Sequence, residues 1–215
     1  MTEEKALKLT AALEKLYPDA KPALKYNDPY ELLVAVVLSA QCTDERVNKV
    51  TEKLFKVANT PEKMLALTQG QLERYIYSCG FYRAKAEHIL SASRDIVEKF
   101  GGKVPDNRDD LQTLAGVGRK TANVVYAVAF GGNAIAVDTH VFRVANRTGL
   151  GKGETPERVE KALMKAIPEK EWSKMHHCLI WHGRLVCHSR SPECDKCGII
   201  ALCEYENKKS TGRIC

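Results

Sequence analysis

The chain has 215 residues and a formal net charge of +6, a length at which one hydrophobic core or two small ones can form without disulfide bonds. A basic chain suits a polyanionic partner, but charge alone excludes little, because many proteins that never bind a polyanion are equally basic. The first ten residues lack an apolar signal core, so we expect the eight cysteines to stay reduced in the cytoplasm. The longest apolar run, residues 32–38, is too short to cross a bilayer, which argues against a membrane role.

Apolar residues recur at helical spacing along most of the chain, as in Leu9, Leu13 and Leu16, while alternating runs of strand length are scarce. Polar caps before proline, such as Asp28-Pro29, mark helix starts. The sequence therefore predicts an all-α fold. The predicted helices span residues 3–17, 29–41, 44–57, 61–67, 70–78, 82–99, 108–114, 119–130, 139–147, 157–166 and 170–186.

A glycine-rich turn joins two of these helices at residues 114–122, LAGVGRKTA. Gly116 and Gly118 permit a tight turn and a close approach of the backbone to a ligand, and N–H groups at the start of the next helix attract an anion such as phosphate. The alternative is an ordinary glycine-capped connection between helices, and the turn alone does not exclude it.

Lys120 lies in the first turn of the second helix, where a cation faces the positive end of the helix dipole. A nucleophilic lysine needs its charged form destabilised, and the helix terminus, neighbouring Arg119 and partial burial would all act in that direction. On the residues alone, a lysine that only neutralises phosphate is an equal alternative.

Asp138 follows the apolar run 134–137 and precedes a helical pattern, so its simplest role is to cap a helix. The helix from Lys120 to Phe130 is about 15 Å long, and the seven residues that follow can span roughly 23 Å, enough to bring Asp138 back beside Lys120. A capping bond would also hold the carboxylate in place, so capping and catalysis are compatible.

Four cysteines near the C-terminus, Cys187, Cys194, Cys197 and Cys203, have the spacing C-x6-C-x2-C-x5-C, which allows four thiolates to converge on one metal centre. Zinc and an iron-sulfur cluster both accept such a set, and spacing alone does not separate them. Arg190 lies between the first two cysteines, where it could meet a phosphate or remain a solvated charge.

In order and spacing, the glycine hairpin with Lys120, the segment VDTHVFR at 137–143 and the four-cysteine pattern resemble the bacterial endonuclease III family of helix-hairpin-helix DNA glycosylases. The resemblance covers essentially the whole chain. It includes residues 38–44 and 80–86, which match segments that face DNA in that family. Together these motifs are highly specific.

The resemblance implies two helical subdomains that flank a DNA-binding groove. A six-helix barrel with the helix-hairpin-helix motif would occupy residues 22–132. Residues 1–21 and 133–215 would form a module whose four cysteines hold a [4Fe-4S] cluster. The protein would act as a monomer in a prokaryotic cytoplasm, on double-stranded DNA.

The resemblance also implies roles for individual residues. Lys120 would be the nucleophile and Asp138 its carboxylate partner. Gln41 would fill the gap that an extruded base leaves in the duplex. Phe81, at a position where leucine is frequent in the family, would insert into the duplex from the other side. The alternative for both residues is plain packing within the fold. The implied DNA-binding residues are Gln41, Phe81, Gly116, Val117, Gly118, Arg119 and Arg190.

The implied activity is that of a bifunctional DNA glycosylase and abasic-site lyase of base excision repair. It would remove oxidised pyrimidines such as thymine glycol through a lysine Schiff base and cleave the strand by β-elimination. A mismatch glycosylase is the nearest alternative, but such relatives typically lack a lysine at the position of Lys120. A non-catalytic DNA-binding module with a zinc knot and an electron-transfer protein are alternatives from other classes, and the latter leaves the hairpin unexplained.

Overall fold

The computed structural model describes residues 1–206. These residues form eleven α-helices and two short 3-10 helices, with no β-strand among them, which confirms the all-α prediction. Within this part of the chain, no helix combines the length and the apolar character needed to cross a membrane.

The helices follow the predicted order, and each begins within two residues of the predicted start. Helix α3 differs most at its end, which lies at Leu54 instead of residue 57. The α-helices are α1 (Glu3–Leu16), α2 (Pro29–Ser39), α3 (Asp44–Leu54), α4 (Pro61–Leu65), α5 (Gln69–Ile76), α6 (Tyr82–Phe100), α7 (Arg108–Thr113), α8 (Arg119–Phe130), α9 (Thr139–Thr148), α10 (Pro156–Ala166) and α11 (Trp172–Leu185). The 3-10 helices are Glu169–Glu171 and Cys194–Lys196.

The polar caps seen in the sequence start their helices as expected. Asp28 accepts a bond from the N–H of Glu31 at 2.9 Å, and Thr60 and Thr155 accept equivalent bonds at the starts of α4 and α10. Proline occupies the first turn of all three helices, where its missing N–H costs nothing. Each such cap contributes about 1 kcal/mol to helix stability.

The chain divides into two compact units, each with its own hydrophobic core. The hairpin unit is Pro22–Gly132, and the cysteine unit is Met1–Lys21 with Asn133–Cys215. In the hairpin unit, α2 is buried from Tyr30 to Leu38 and packs against α3, α6 and α8. A helix that is apolar on every side is expected at the centre of a core, and α2 takes that place.

The core of the cysteine unit is built by α1, α9, α10 and α11. Leu9 and Leu13 of α1 are fully buried, as are Val141 and Val144 of α9. Helix α11 packs against both α1 and α9. Its C-terminal end leads into the loop that carries the four clustered cysteines, so the core fixes where that loop begins.

Candidate active site and cysteine centre

The turn between α7 and α8 requires glycine at position 116. Gly116 has a φ of +75°, and a Cβ added there would lie 2.8 Å from the Cβ of His88. Val117 is buried, and its N–H donates to the carbonyl of Leu114 at 3.1 Å. Val117 therefore anchors the turn to the core through its side chain and closes the turn through its N–H, so its predicted contact with DNA is not supported by a free donor.

The start of α8 has the features of an anion site. Gly118 precedes the helix and has no side chain to cap it, and the first turn contains no acidic residue. Arg119 and Lys120 are both exposed. Helix N–H groups and two cations thus act together at this end of α8, which favours a phosphate. The first turn of α8 faces solvent, so of the three effects that would destabilise the charged form of Lys120, partial burial does not act here.

Asp138 is the N-cap of α9 and is half-buried. Its Oδ1 accepts bonds from the N–H groups of His140 at 2.9 Å and Val141 at 2.7 Å. Oδ2 takes part in neither bond. The cap thus fixes the carboxylate through one oxygen, and the capping role predicted from the sequence leaves the second oxygen for another contact.

Arg143, which follows Asp138 in α9, connects this helix to the end of α11 by hydrogen bonds. Arg143 donates through Nε to the carbonyl of Cys187 and through Nη2 to the carbonyl of Gly183, both at 2.9 Å. Burial lowers the pKa of His140, and Arg143 lowers it further, against the opposing effect of Asp138. At neutral pH an uncharged imidazole therefore lies next to the cap, and the carboxylate of Asp138 has no imidazolium beside it.

The two residues predicted to enter DNA lie in exposed turns of the hairpin unit. Helix α2 ends at Ser39, so the predicted helix end at residue 41 is wrong, and Gln41 has a φ of +52°. Phe81 precedes α6 with a φ of +57°, and 68% of its surface is exposed. Left-handed backbone costs about 1 kcal/mol or more for such residues. Their exposure excludes plain packing as the role of either side chain.

The four clustered cysteines line one small cavity of the cysteine unit. In residues 1–206, no three His, Cys, Asp or Glu side chains are arranged to hold a single metal ion. The spacing of the four cysteines in the sequence thus corresponds to one shared position in the fold.

Polar groups surround the sulfur atoms of this cavity. Nη1 of Arg147 lies 3.5 Å from Sγ of Cys187, and the backbone N–H of Tyr205 donates to Sγ of Cys203 at 3.5 Å. Burial raises the pKa of Cys197, and the neighbouring thiols raise it further. A metal centre bound by these cysteines would take them as thiolates and release their protons, and the nearby donors would compensate the charge.

Two residues of the cysteine centre were not predicted from the sequence. His182 is buried, with Nε2 3.7 Å from Sγ of Cys197 and Nδ1 3.0 Å from the hydroxyl of Tyr17, and burial lowers the pKa of His182 to about 4. Arg147 donates to the carbonyls of His188 at 2.6 Å and Ser189 at 2.9 Å. A signal was present for His182, since it continues the apolar stripe of α11.

Arg190 is exposed in the loop that Arg147 holds. The loop begins at Cys187, directly after α11, and Ser191 has a φ of +52°. The guanidinium of Arg190 therefore faces solvent. Its loop is held by hydrogen bonds from Arg147 on one side and by the cysteine centre on the other. Such a loop suits a phosphate contact.

Comparison with known protein families defines the class. Residues 34–169, more than half of the chain, match the family described as HhH-GPD superfamily base excision DNA repair protein. The chain belongs to this family. The hairpin of α7 and α8 and the lysine behind it lie within the matched segment.

The most similar relatives narrow this class further. Endonuclease III of Haemophilus influenzae is 50% identical over 97% of this chain and 99% of its own length, and endonuclease III of Escherichia coli is 47% identical over the same shares. A solved structure of a trapped endonuclease III-DNA covalent intermediate matches with a TM-score of 0.93 at 46% identity, over 98% of this chain and 99% of that one. A thermostable thymine-DNA glycosylase matches with a TM-score of 0.86 at 25% identity, over 95% and 98%.

These similarities confirm the predicted endonuclease III family and the all-α class. They also confirm the predicted activity, which is that of a DNA glycosylase and abasic-site lyase of base excision repair. The lower sequence identity to the thymine-DNA glycosylase agrees with the prediction that the chain resembles endonuclease III more than a mismatch glycosylase.

Proposed function

We propose that this base excision glycosylase removes oxidised pyrimidines from double-stranded DNA in the cytoplasm, with Lys120 as nucleophile and Asp138 as its carboxylate partner. The observation that carries this proposal is the position of Lys120, exposed in the first turn of a helix that begins behind an uncapped glycine hairpin. A phosphate bound at that helix end would hold a nucleotide next to the amine.

The reaction begins with extrusion of the damaged nucleotide from the duplex, since a stacked base shields its sugar. Extrusion costs a few kcal/mol and is easier where damage has weakened stacking, so selectivity for damaged bases begins at this step. Gln41 fills the gap in the duplex, and Phe81 wedges from the other side. Both side chains lie on left-handed turns and are exposed, and exposure is what insertion into DNA requires.

Lys120 then attacks C1′ of the sugar through its uncharged amine, and the bond from C1′ to the base breaks. Asp138 stabilises the positive charge that develops on the sugar and helps to transfer protons. The sugar ring opens to a Schiff base between C1′ and Lys120. The iminium acidifies the C2′ proton, and loss of that proton expels the 3′ phosphate by β-elimination, which cuts the strand.

The remaining contacts serve to hold the DNA backbone. The N–H groups of Gly116 and Gly118 and the side chain of Arg119 bind phosphate at the hairpin, while Val117, whose N–H donates to the carbonyl of Leu114, holds the turn in shape. Arg190, exposed on the loop between two clustered cysteines, binds a further phosphate. Such contacts position the duplex without reading its sequence, which suits an enzyme that searches for damage in any sequence.

Cys187, Cys194, Cys197 and Cys203 are proposed to ligate a [4Fe-4S] cluster. The fit rests on the four thiols, which line one cavity, and on the donors that Arg147 and the N–H of Tyr205 place beside their sulfur atoms. Four cysteine thiolates are the usual ligands of such a cluster. When bound, it supplies a covalent brace for the loop of Arg190. We accordingly propose that Met1–Lys21 and Asn133–Cys215 form a cluster module and Pro22–Gly132 the helix-hairpin-helix barrel.

Duplexes that each carry one defined lesion test this proposal. We expect release of the base and strand cleavage on thymine glycol and at abasic sites, and neither on undamaged DNA. Duplexes with an adenine or thymine mismatch are the matched comparison. Preferential cleavage of the mismatch would support a mismatch glycosylase instead, and binding without any cleavage would support a non-catalytic module.

A further inference from the structure

Lys85 is a buried charged residue that the reaction above does not use. Only 5% of it is exposed, and it lies on α6 in line with the core residues Ile89 and Ile96. Its Nζ donates to the carbonyl of Leu38 at 2.9 Å and to that of Ala40 at 2.6 Å. Burial lowers the pKa of Lys85. A buried ammonium held only by neutral carbonyls is costly, so its presence needs a reason.

The two carbonyls belong to the C-terminal end of α2. The last turn of a helix leaves carbonyl groups without partners and favours a cation, yet the last turn of α2 has no basic residue. Lys85 supplies that cation from another helix. The carbonyl of Ala40 is part of the peptide group that leads into Gln41. The bond from Lys85 therefore fixes the peptide plane at the start of the left-handed turn.

The backbone of Lys85 reaches the second exposed turn. Its N–H donates to the carbonyl of Phe81 at 3.1 Å, in the first turn of α6. The two turns also approach each other directly, since a Cβ added to Gly80 would lie 3.5 Å from the carbonyl oxygen of Gln41. A single residue is thus bonded through its side chain to the turn of Gln41 and through its backbone to the turn of Phe81.

We infer that Lys85 is a positioning residue that holds Gln41 and Phe81 in place for insertion into DNA. The inference rests on the proposed roles of those two residues. Strained left-handed turns persist only where surrounding contacts hold them. Without the amine, the carbonyls of Leu38 and Ala40 lose their partner, and the turn of Gln41 relaxes toward conformations in which its side chain no longer points where Phe81 requires it.

The test compares Lys85→Met, which keeps an unbranched side chain of similar length and removes the amine, with Lys99→Met. Lys99 lies on the same helix, exposed and paired with Asp95, so it is a matched control. Two substrates are used: a duplex with one thymine glycol, and a duplex in which the same lesion lies in a small bubble. In the bubble the base is already unpaired, so extrusion costs little.

We expect Lys85→Met to slow single-turnover cleavage of the paired lesion by roughly tenfold or more, the scale of a small misplacement, and that of the bubble by much less. Lys99→Met should match the parent on both. A purely structural role of Lys85 would lower both rates together or neither, and either result would overturn the inference. If Lys85→Met folds poorly, Lys85→Gln, which retains donors on a shorter stem, should show the same substrate pattern in weaker form.

Gln41→Ala and Phe81→Ala separate this inference from the function on which it rests. Both variants should show the same selective loss on the paired lesion. Adding Lys85→Met to the double Gln41→Ala, Phe81→Ala variant should then cost little more, because residues that act together are not additive. Normal cleavage by the alanine variants would contradict the proposed role of Gln41 and Phe81, and the inference about Lys85 would fail with it. Impaired alanine variants beside a normal Lys85→Met would overturn the inference alone.

Discussion

Asp138 shows how one side chain can have a structural role and remain available for chemistry. Both capping bonds end on Oδ1, so the cap restricts the carboxylate to one orientation. Burial lowers the pKa of the neighbouring His140 and keeps its imidazole uncharged at neutral pH. No imidazolium therefore neutralises the carboxylate of Asp138. The proposed catalytic role depends on that negative charge, whereas capping does not.

Asp138→Asn separates the two roles. Asparagine caps a helix about as well as aspartate, so we expect the melting temperature to stay close to that of the parent. Single-turnover cleavage should fall roughly a hundredfold or more, because a preorganised charge is lost from the transition state. Affinity for damaged DNA should not fall in parallel, since a negative charge near phosphates has been removed.

Asp28→Asn is the matched control for this substitution. Asp28 is also an N-cap, at the start of α2, and has no proposed part in the reaction. It should leave both the melting temperature and the cleavage rate nearly unchanged. Near-parental turnover of Asp138→Asn would reduce Asp138 to a helix cap.

At the scale of single residues, the sequence predicted which residues lie at a given kind of position better than it predicted their surroundings in the fold. Lys120 lies at a helix start as expected, but its exposure could not be predicted from the sequence, because exposure depends on packing far along the chain. Lys85 belongs to the segment 80–86, which the resemblance matched to a DNA-facing segment, but its burial was not predicted, although it interrupts the apolar stripe of α6 with Ile89 and Ile96. A lysine at a core position is a signal that periodicity can reveal, but its partners at Leu38 and Ala40 become visible only in the fold.

At the scale of elements, helix starts were more predictable than helix ends. Starts depend on local signals such as Asp28-Pro29 and Thr155-Pro156, where the cap and the proline are adjacent. The end of α2 depends on a tertiary contact, the bond from Lys85 to the carbonyl of Ala40. No local pattern marks it, so the predicted helix ran on to residue 41, in a turn that the proposed function uses.

Gly116 tests the physical basis of the hairpin between α7 and α8. Gly116→Ala places a side chain on left-handed backbone and a Cβ 2.8 Å from that of His88. We expect the free energy of unfolding in urea to fall by about 1–3 kcal/mol. Gly118→Ala is the control, since Gly118 has an extended backbone and a Cβ there would meet nothing within 4 Å. Equal unfolding free energies for the two variants would contradict this account of the turn.

At the scale of the whole molecule, the proposed reaction draws on both units. Lys120, Gln41 and Phe81 belong to the hairpin unit, whereas Asp138 and Arg190 belong to the cysteine unit. Helix α9 connects the roles within the cysteine unit: Asp138 caps its start, and its residues Arg143 and Arg147 bind the loop that follows α11. The cysteine centre therefore supports the helix whose cap is the proposed catalytic carboxylate.

Metal analysis of the protein tests the proposed cluster. After anaerobic purification we expect a yellow-brown protein with about four irons and four sulfides per chain. Cys194→Ser should lose most of this iron. Cys42→Ser, a half-buried cysteine of the other unit, should retain it. One zinc per chain, with neither iron nor sulfide, would contradict the cluster.

The central claim is that Lys120 forms the Schiff base, and borohydride trapping measures this most directly. The reductant converts the iminium to a stable amine, so the parent protein should become covalently linked to a duplex that carries thymine glycol, and the link should map to the peptide containing Lys120. Lys120→Gln keeps an unbranched polar side chain, slightly shorter than lysine, but cannot form an iminium, so it should bind the damaged duplex without becoming trapped. Lys99→Gln should be trapped as well as the parent. Efficient trapping of Lys120→Gln would show that another amine is the nucleophile and would contradict the account.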